Sequence, residues 1–191
     1  MITTDAVIYL SGARTVAQDP THRSYQTLKT PFRSLKALND DTLAGGSFVQ
    51  YQSTVMLIPL VGDIITDQRI SPGQLQIIHN PTIRNPYQEE LINYLLIGIE
   101  AQPVVVDFSF EQNSLTKLVG GNYIGKFDGR RDCVHKLSKE AYGAFVFILE
   151  GAFEVQNRLL HPRDGLALWN LDGVEFEALS NEGILLLIEV Y

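Results

Sequence analysis

Cysteine is almost absent from this sequence: its 191 residues include only Cys133. A single cysteine excludes an internal disulfide and any zinc site built from several cysteines. Basic runs are missing as well, because no stretch of Lys and Arg exceeds the pair Arg130-Arg131 and the net charge is −7. We therefore expect no direct binding to nucleic acid and no attraction to anionic lipid surfaces.

Long apolar runs are also missing. The segment ILLLI at 184–188 is among the longest, and a bilayer-spanning helix needs about 20 such residues. The first 15 residues contain neither a basic segment nor a long apolar run, so we expect no secretion signal. Low cysteine usage fits a reducing compartment. These features predict a cytoplasmic protein that does not associate with membranes.

Short apolar segments rich in Val, Ile, Phe and Tyr are abundant. VMLIPLV at 55–61 and AFVFIL at 144–149 are examples, and Gly, Pro, Asn or Asp residues separate them from their neighbours. Evenly spaced short strands with turn residues between them favour an all-β sandwich or barrel. We interpret YQEELINYL at 87–95 as a loop running into a strand.

One pattern occurs twice along the chain. A strand ends at Gly62 and a Pro-Gly turn at 72–73 precedes the next long strand; the same order recurs around Gly151 and the turn at 162–165. The two glycines lie 89 residues apart. Glycine permits the positive φ of a tight hairpin, and Pro or Gly fixes the turn that reverses the chain. The repeat predicts two similar antiparallel halves.

The boundary between the halves is expected between residues 101 and 115. We assign residues 1–105 to an N-terminal domain and residues 106–191 to a C-terminal domain. The segment VVVDF at 104–108 is expected to bridge the two halves or to exchange between them.

Several segments resemble the pirin-like bicupins, a branch of the cupin superfamily that includes bacterial quercetin dioxygenase-like proteins. Together they cover most of the chain. They are SLKALNDDTLAGGSF (34–48), PGQLQII (72–78), IRNPYQEELINYLLIGIEA (83–101) and LHPRDGLALWNLDGVEFEALSNEGILLLIEV (160–190). The resemblance implies an all-β fold of two cupin barrels, or jelly rolls, in tandem.

The resemblance also implies a metal site and shows where this chain departs from it. In metal-binding pirin-like proteins the first cupin holds an iron-type metal with three His and one Glu, a donor set that leaves positions open for dioxygen or substrate. Alignment places the His-X-His pair at 48–50, Phe48-Val49-Gln50, and the His-Ser-Glu motif at 85–87, Asn85-Pro86-Tyr87. No His or Glu occurs in 40–64. We therefore predict that these ligands are lost and that no cofactor is bound; the alternative is Fe or another divalent metal on rearranged ligands.

Polar residues remain around the mouth of the first predicted barrel, where they could hold a small anion or a polar organic ligand. The alternative is that the same side chains fill the barrel and satisfy one another. The residues are Gln50, Tyr51, His79, Arg84, Asn85 and Tyr87.

The remaining candidates for chemistry are isolated. His22 lies in a polar stretch and is expected to be exposed, and the Asn-Asp-Asp sequence at 39–41 is typical of a turn. Cys133 and His135 would share one face of a strand. No orienting acid or oxyanion motif accompanies them, so an ordinary half-buried strand is the simpler interpretation. We predict no catalytic residues.

Three functions are compatible with these features. The first is a non-catalytic bicupin that binds a small ligand or a protein partner; a regulatory role is conceivable because the family includes a transcriptional co-regulator. The second is a metal-dependent oxygenase of the quercetinase type. The third is a structural role through self-association. The sequence leaves the oligomeric state open.

Overall fold

The computed structural model describes residues 5–191, and this part of the chain is built almost entirely from β-strands. It contains 21 strands and one 3-10 helix, Ser11–Ala13, and no α-helix. The predicted all-β fold is confirmed. No helix within residues 5–191 is long and apolar enough to cross a membrane.

The strands are numbered in chain order. The first twelve are β1 (Asp5–Tyr9), β2 (Thr15–Gln18), β3 (His22–Gln26), β4 (Ala37–Leu43), β5 (Phe48–Gln50), β6 (Thr54–Val61), β7 (Ile64–Ile65), β8 (Arg69–Ile70), β9 (Gln74–His79), β10 (Thr82–Arg84), β11 (Ile92–Gly98) and β12 (Val104–Asp107). The other nine are β13 (Ser114–Lys117), β14 (Asn122–Phe127), β15 (Arg131–Lys136), β16 (Gly143–Glu150), β17 (Phe153–Val155), β18 (Arg158–Leu160), β19 (Gly165–Trp169), β20 (Gly173–Ala178) and β21 (Gly183–Val190).

Residues Arg14–Phe108 form one compact unit, the first unit. Its larger sheet has the order β12-β9-β6-β11-β4-β3-β2, and its smaller sheet has the order β5-β10-β7-β8. Strand β6 is buried continuously from Val55 to Pro59, as expected for an uninterrupted apolar run in a central strand. The core draws side chains from both sheets: Leu43, Val55, Leu57, Ile64, Ile70, Ile83, Ile92, Tyr94 and Leu96.

The second unit comprises Ser109–Tyr191 together with the segment that ends at Ala13. Its larger sheet has the order β1-β19-β16-β21-β14-β13, and its smaller sheet has the order β15-β20-β17-β18. Phe127, Phe153 and Phe176 meet edge to face in the core, with ring centroids 5.1–6.3 Å apart. This geometry suits the charge distribution of aromatic rings.

The two units repeat the same strand order. In the larger sheets β9-β6-β11-β4-β3 corresponds to β19-β16-β21-β14-β13, and in the smaller sheets β5-β10-β7-β8 corresponds to β15-β20-β17-β18. The predicted glycine turns follow β6 and β16, where Gly62 has φ +73° and Gly151 has φ +74°. The predicted repeat is therefore confirmed. In each unit the two sheets pack face to face as a sandwich, and hydrogen bonds do not close them into the barrels that the resemblance implied.

The outer strand at one edge of each larger sheet shows how the chain divides. β12 pairs with β9 in the first unit, whereas the corresponding place beside β19 in the second unit is taken by β1. The segment 104–108 therefore completes the first unit, and β1 completes the second. The division falls after Ala13 and after Phe108. It differs from the predicted domains 1–105 and 106–191 because the backbone hydrogen bonds of β1 are made with β19.

Candidate functional site

Asn85 and Tyr87 occupy the positions that the resemblance aligns with the His-Ser-Glu motif, and both are engaged in local structure. Asn85 is buried; its Nδ2 donates to the carbonyl oxygens of Leu43 at 3.0 Å and Glu90 at 2.7 Å. Its Oδ1 accepts from the backbone N–H of Tyr87 at 2.9 Å. The Tyr87 hydroxyl accepts from the backbone N–H of Asp63 at 3.2 Å. These bonds fix the loop that leads into β11.

Gln50 and Arg84 lie at the ends of the paired strands β5 and β10, and both are exposed. Gln50 Nε2 donates to Thr82 Oγ1 at 3.1 Å. The Arg84 guanidinium stands 5.2 Å from the centre of the Phe48 ring, a cation–π distance. Neither contact points to an enclosed ligand site.

His79 ends β9, opposite Thr54 on β6. Its Nδ1 lies 2.5 Å from Thr54 Oγ1, and the side chain is exposed. The contacts of the six predicted residues therefore fall in separate places: the β5–β10 edge, the loop before β11, the end of β9, and a buried cluster around Tyr51.

The buried cluster consists of His22, Asp41, Tyr51 and Tyr94, and is called the Tyr51 cluster below. The Tyr51 hydroxyl donates to Asp41 Oδ2 at 2.6 Å. His22 Nε2 lies 3.4 Å from that hydroxyl and 3.6 Å from the same carboxylate oxygen. Tyr94 pairs with Asp41 across β11 and β4, so both side chains are on one face of the sheet.

The cluster lies inside the first unit. Asp41 and Tyr94 are fully buried, and Tyr51 packs against the core. Burial, the neighbouring Tyr94 hydroxyl and the Asp41 carboxylate all raise the pKa of Tyr51 far above its ordinary value. Burial and the Asp41 carboxylate likewise raise the pKa of Tyr94. Both phenols are therefore neutral hydrogen-bonding groups at physiological pH.

Sequence reasoning missed three of the four residues of this cluster. The expected turn at 39–41 is instead the middle of β4, and the expected exposed His22 is the half-buried first residue of β3. A signal for Asp41 was available: it is two residues from Leu43, and alternation places both on the core face. Its spatial partners His22 and Tyr94 come from other strands, β3 and β11, and periodicity within one strand cannot show which strands pair.

The second unit contains a different polar network, around Glu189 near the end of β21. Glu189 Oε1 is 2.9 Å from His135 Nε2, and Glu189 Oε2 accepts from Ser138 Oγ at 2.7 Å and from the Tyr191 hydroxyl at 3.0 Å. The carboxylate stands between the serine and the histidine. A nucleophilic serine requires the histidine in that central place, so this network is suited to structure rather than to acyl transfer.

The electrostatics of the Glu189 network reflect two opposing effects. Burial by itself raises the pKa of Glu189, but the hydrogen bonds from His135, Ser138 and Tyr191 outweigh it and hold the pKa below its ordinary value. Cys133 is half-buried on the strand of His135, and burial raises the pKa of its thiol. A reactive cysteine needs a lowered pKa. The structure therefore favours the ordinary half-buried strand over a Cys-His nucleophile.

An open groove lies beside β15 and β20 in the second unit and has a volume of about 720 Å³, within the usual range for small-molecule sites. Its walls are mixed in character, with Lys136, Asp172 and Glu175 as charged groups and Tyr142 and Leu171 as apolar surface.

The residues at the positions of the family metal ligands do not fit that metal. The side-chain amide of Asn85 is hydrogen-bonded to backbone carbonyl groups, and the Tyr87 hydroxyl accepts a hydrogen bond from a backbone N–H. Within residues 5–191, no group of three or more His, Cys, Asp or Glu side chains is placed to hold a metal ion.

Comparisons with known proteins agree with the fold. A nickel(II) complex of the bacterial pirin YhhW from Escherichia coli matches with a TM-score of 0.81 and 16% identity, over 98% of this chain and 100% of that one. YhaK from E. coli matches with a TM-score of 0.70 and 15% identity, over 95% of each chain. A quercetin 2,3-dioxygenase from Acinetobacter baumannii matches with a TM-score of 0.67 and 11% identity, over 98% of this chain and 78% of that one.

Two paired-sheet units with the same strand order give this chain the fold of a bicupin. Residues 122–190 match the family model of the quercetinase C-terminal cupin domain. That match lies in the second unit, and the fold of pirin extends over nearly the whole chain. A search of curated protein sequences gave no match.

Proposed function

We propose that this chain is a non-catalytic pirin-like bicupin that acts by binding a small ligand or a protein partner. The observation that carries the proposal is the replacement of the family metal ligands by side chains that are bonded within the protein, Asn85 above all. An oxygenase of this type needs imidazole and carboxylate donors with open coordination positions. The groups at 85–87 supply neither.

Ligand binding is supported better in the second unit than at the mouth of the first. The interior of the first unit is packed with its own side chains, including Tyr51 and Tyr87. The groove beside β15 and β20 has a suitable volume, and its lining includes Lys136, a partner for an anionic group, and the aromatic side chain of Tyr142. Small-molecule sites combine apolar surface with a few polar groups in this way.

The alternative is a metal-dependent oxygenase, favoured by the match of residues 122–190 to the quercetinase C-terminal cupin domain. The two functions can be distinguished because only the oxygenase would convert quercetin and consume oxygen. We would measure oxygen consumption with quercetin and added Fe, Mn, Ni or Cu, using the A. baumannii quercetin 2,3-dioxygenase as the active control. The proposal predicts no consumption above that of heat-inactivated protein. Metal-dependent consumption with oxidised quercetin as product would overturn it.

Binding can be tested in parallel by a thermal-shift screen of small organic acids and phenols. A ligand at a hundred times its dissociation constant adds about 2.7 kcal/mol of stability. For a chain of this size that shifts the unfolding midpoint by roughly 5–10 °C. A genuine ligand of the groove should lose its shift in Lys136→Ala and keep it in Lys117→Ala, a control on strand β13, which is outside the groove. A shift that is unchanged in Lys136→Ala would place the ligand elsewhere.

A further inference from the structure

The groove beside β15 and β20 contains charged groups of both signs that the protein leaves unpaired. Its three charged side chains are those of Lys136, Asp172 and Glu175, and all three are exposed. Among the described residues, none of the three forms an ion pair or a side-chain hydrogen bond. Lys36 and Lys126, by contrast, are paired with glutamates. The groove therefore presents one positive and two negative charges to a ligand.

Strand pairing fixes where these charges lie. Lys136 on β15 pairs with Gly173 on β20, and Asp172 directly precedes that glycine. Two residues along the strands, Val134 pairs with Glu175. Lys136 and Glu175 are therefore diagonal neighbours on the outer face of the sheet, about 7–8 Å apart. One end of the groove holds Lys136 and Asp172, and the next row along the strands holds Glu175.

Apolar surface lies between the two ends. Val134 is on the same face of β15 as Lys136 and is 65% exposed. Leu171 lines the same groove. Successive side chains on one face of a strand are about 6.4–6.8 Å apart. A ligand that lies along the strands can thus place a short aliphatic chain on Val134, with one charged group at Lys136 and another at Glu175.

The acidic end continues into a smaller groove of about 200 Å³, which shares Val134 and Glu175 with the first. Here Asp132, Glu177 and Glu154 stand opposite one another across β15, β20 and β17. Like charges in directly opposite positions destabilise a sheet. No ion pair within residues 5–191 neutralises these carboxylates. A cationic group bound at this end would offset their repulsion.

We propose that the groove beside β15 and β20 binds a basic α-amino acid such as arginine. The α-carboxylate pairs with Lys136, the α-ammonium with Asp172, and the guanidinium with Glu175. Six bonds of about 1.5 Å or less separate the carboxyl carbon of arginine from its guanidinium carbon, a span of roughly 7 Å when extended. That span matches the distance between the two rows. Guanidinium also suits the site because it binds a carboxylate through two parallel hydrogen bonds.

The number of charges supports the same class of ligand. Arginine has two positive groups and one negative group at neutral pH, which is the reverse of the groove. A simple organic acid would pair with Lys136 but leave Asp172 and Glu175 without a partner. This inference rests on the ligand-binding function proposed above and names the ligand class for the same groove.

The test is isothermal titration calorimetry of the full-length protein with L-arginine and three analogues that each lack one charge. Agmatine lacks the α-carboxylate, N-acetylarginine lacks the α-ammonium, and citrulline has a neutral urea group in place of the guanidinium. We expect one arginine per chain. Each analogue should bind at least about tenfold more weakly, because the loss of one hydrogen bond between charged groups has an effect of that size.

Each analogue has a matching variant. Lys136→Gln should weaken arginine binding at least about tenfold and leave agmatine binding unchanged. Asp172→Asn should do the same with N-acetylarginine as the unaffected ligand, and Glu175→Gln with citrulline. The pairs form double-mutant cycles between protein and ligand. Lys117→Gln and Glu111→Gln, at exposed residues outside the groove, should leave all four affinities unchanged.

Three results would overturn this inference: no binding of arginine to the folded wild-type protein, binding of any analogue as tightly as arginine, or an arginine affinity that is unchanged in Lys136→Gln and Glu175→Gln. The outcome is separable from that of the proposed function. An organic ligand whose thermal shift depends on Lys136 would keep the groove as a binding site even if arginine fails. Oxygen consumption with quercetin would overturn the non-catalytic function and leave the calorimetry unaffected.

Discussion

The hydroxyl group of Tyr51 donates a 2.6 Å hydrogen bond to Oδ2 of Asp41, a carboxylate that is fully buried inside the first cupin. Tyr51 follows the short strand β5, and Asp41 lies in β4. This bond joins the smaller sheet of the unit to the larger one. It also explains why an acidic residue is tolerated in a β-sandwich core, since a buried charge must be hydrogen-bonded.

Tyr51→Phe should therefore destabilise the protein. Hydrogen bonds to charged groups contribute about 1.5–3 kcal/mol, and we expect a loss of that size in the free energy of unfolding. Urea denaturation monitored by circular dichroism measures it as a lower midpoint with an unchanged slope. Tyr87→Phe is the matched control, because its hydroxyl accepts a 3.2 Å bond from the backbone N–H of Asp63 and bonds the Asp63 side chain near the surface rather than in the core, and should cost about 0.5–1.5 kcal/mol. Equal losses in the two variants would show that the buried Tyr51–Asp41 bond contributes no more than the bond of Tyr87.

Glu189→Gln should change how stability depends on pH. The pKa of Glu189 in the folded protein is below its ordinary value of 4.5. Its ionised form therefore stabilises the fold above about pH 4.5, and that contribution is lost as the pH falls through the folded pKa. We expect thermal-unfolding midpoints of the wild type to fall more steeply below pH 4.5 than those of Glu189→Gln.

The control for that pH series is Glu111→Gln, at an exposed glutamate in the segment before β13. Below pH 4.5, the thermal-unfolding midpoint of this control variant should fall as steeply as that of the wild type. If Glu189→Gln also follows the wild type, the hydrogen bonds from His135 and Ser138 do not hold the carboxylate in its ionised form.

Gly62→Ala should cost more stability than Gly46→Ala. Both glycines have positive φ, +73° and +67°, and a left-handed conformation costs an alanine about 1–2 kcal/mol. At Gly62 the added Cβ would also lie 2.8 Å from Ile92 Cγ2, whereas at Gly46 the nearest atom is 3.9 Å away. Chemical denaturation of the two variants compares the costs directly. A Gly46→Ala variant that is as unstable as Gly62→Ala would show that strain, rather than crowding, dominates at this turn.

Cys133 should react slowly with iodoacetamide in the folded protein. Burial raises its pKa above the ordinary 9.0, so little thiolate is present at neutral pH. Mass spectrometry of the alkylated protein should show the rate rising only at alkaline pH, and at a higher pH than in urea-unfolded protein. Rapid modification of the folded protein near pH 7 would instead support the hypothesis that Cys133 and His135 form a Cys-His nucleophile.

Much of the architecture could be predicted because it depends on local patterns. Apolar runs such as 55–61 and 144–149 form the central strands, and the glycines that end them, Gly62 and Gly151, adopt the positive φ that tight turns require. These signals act over a few neighbouring residues, so the linear sequence contains them. The edge strand β1 could not be assigned in this way, because its pairing with β19 joins residues more than 150 positions apart.

The candidate site shows the same contrast between features set by local sequence and features set by long-range strand pairing. The sequence alone determined which residues occupy the positions aligned with the pirin-like metal ligands, and it predicts that the histidine and glutamate ligands are lost, because that prediction depends only on residue identity. Only the tertiary structure decided what took their place. It separated Gln50, His79 and Arg84 from one another, and it brought His22 from β3 and Asp41 from β4 to within 3.6 Å of each other beside Tyr51. The physical reason is strand pairing: hydrogen bonds between β3 and β4 and between β4 and β11 set the register that makes these polar groups neighbours.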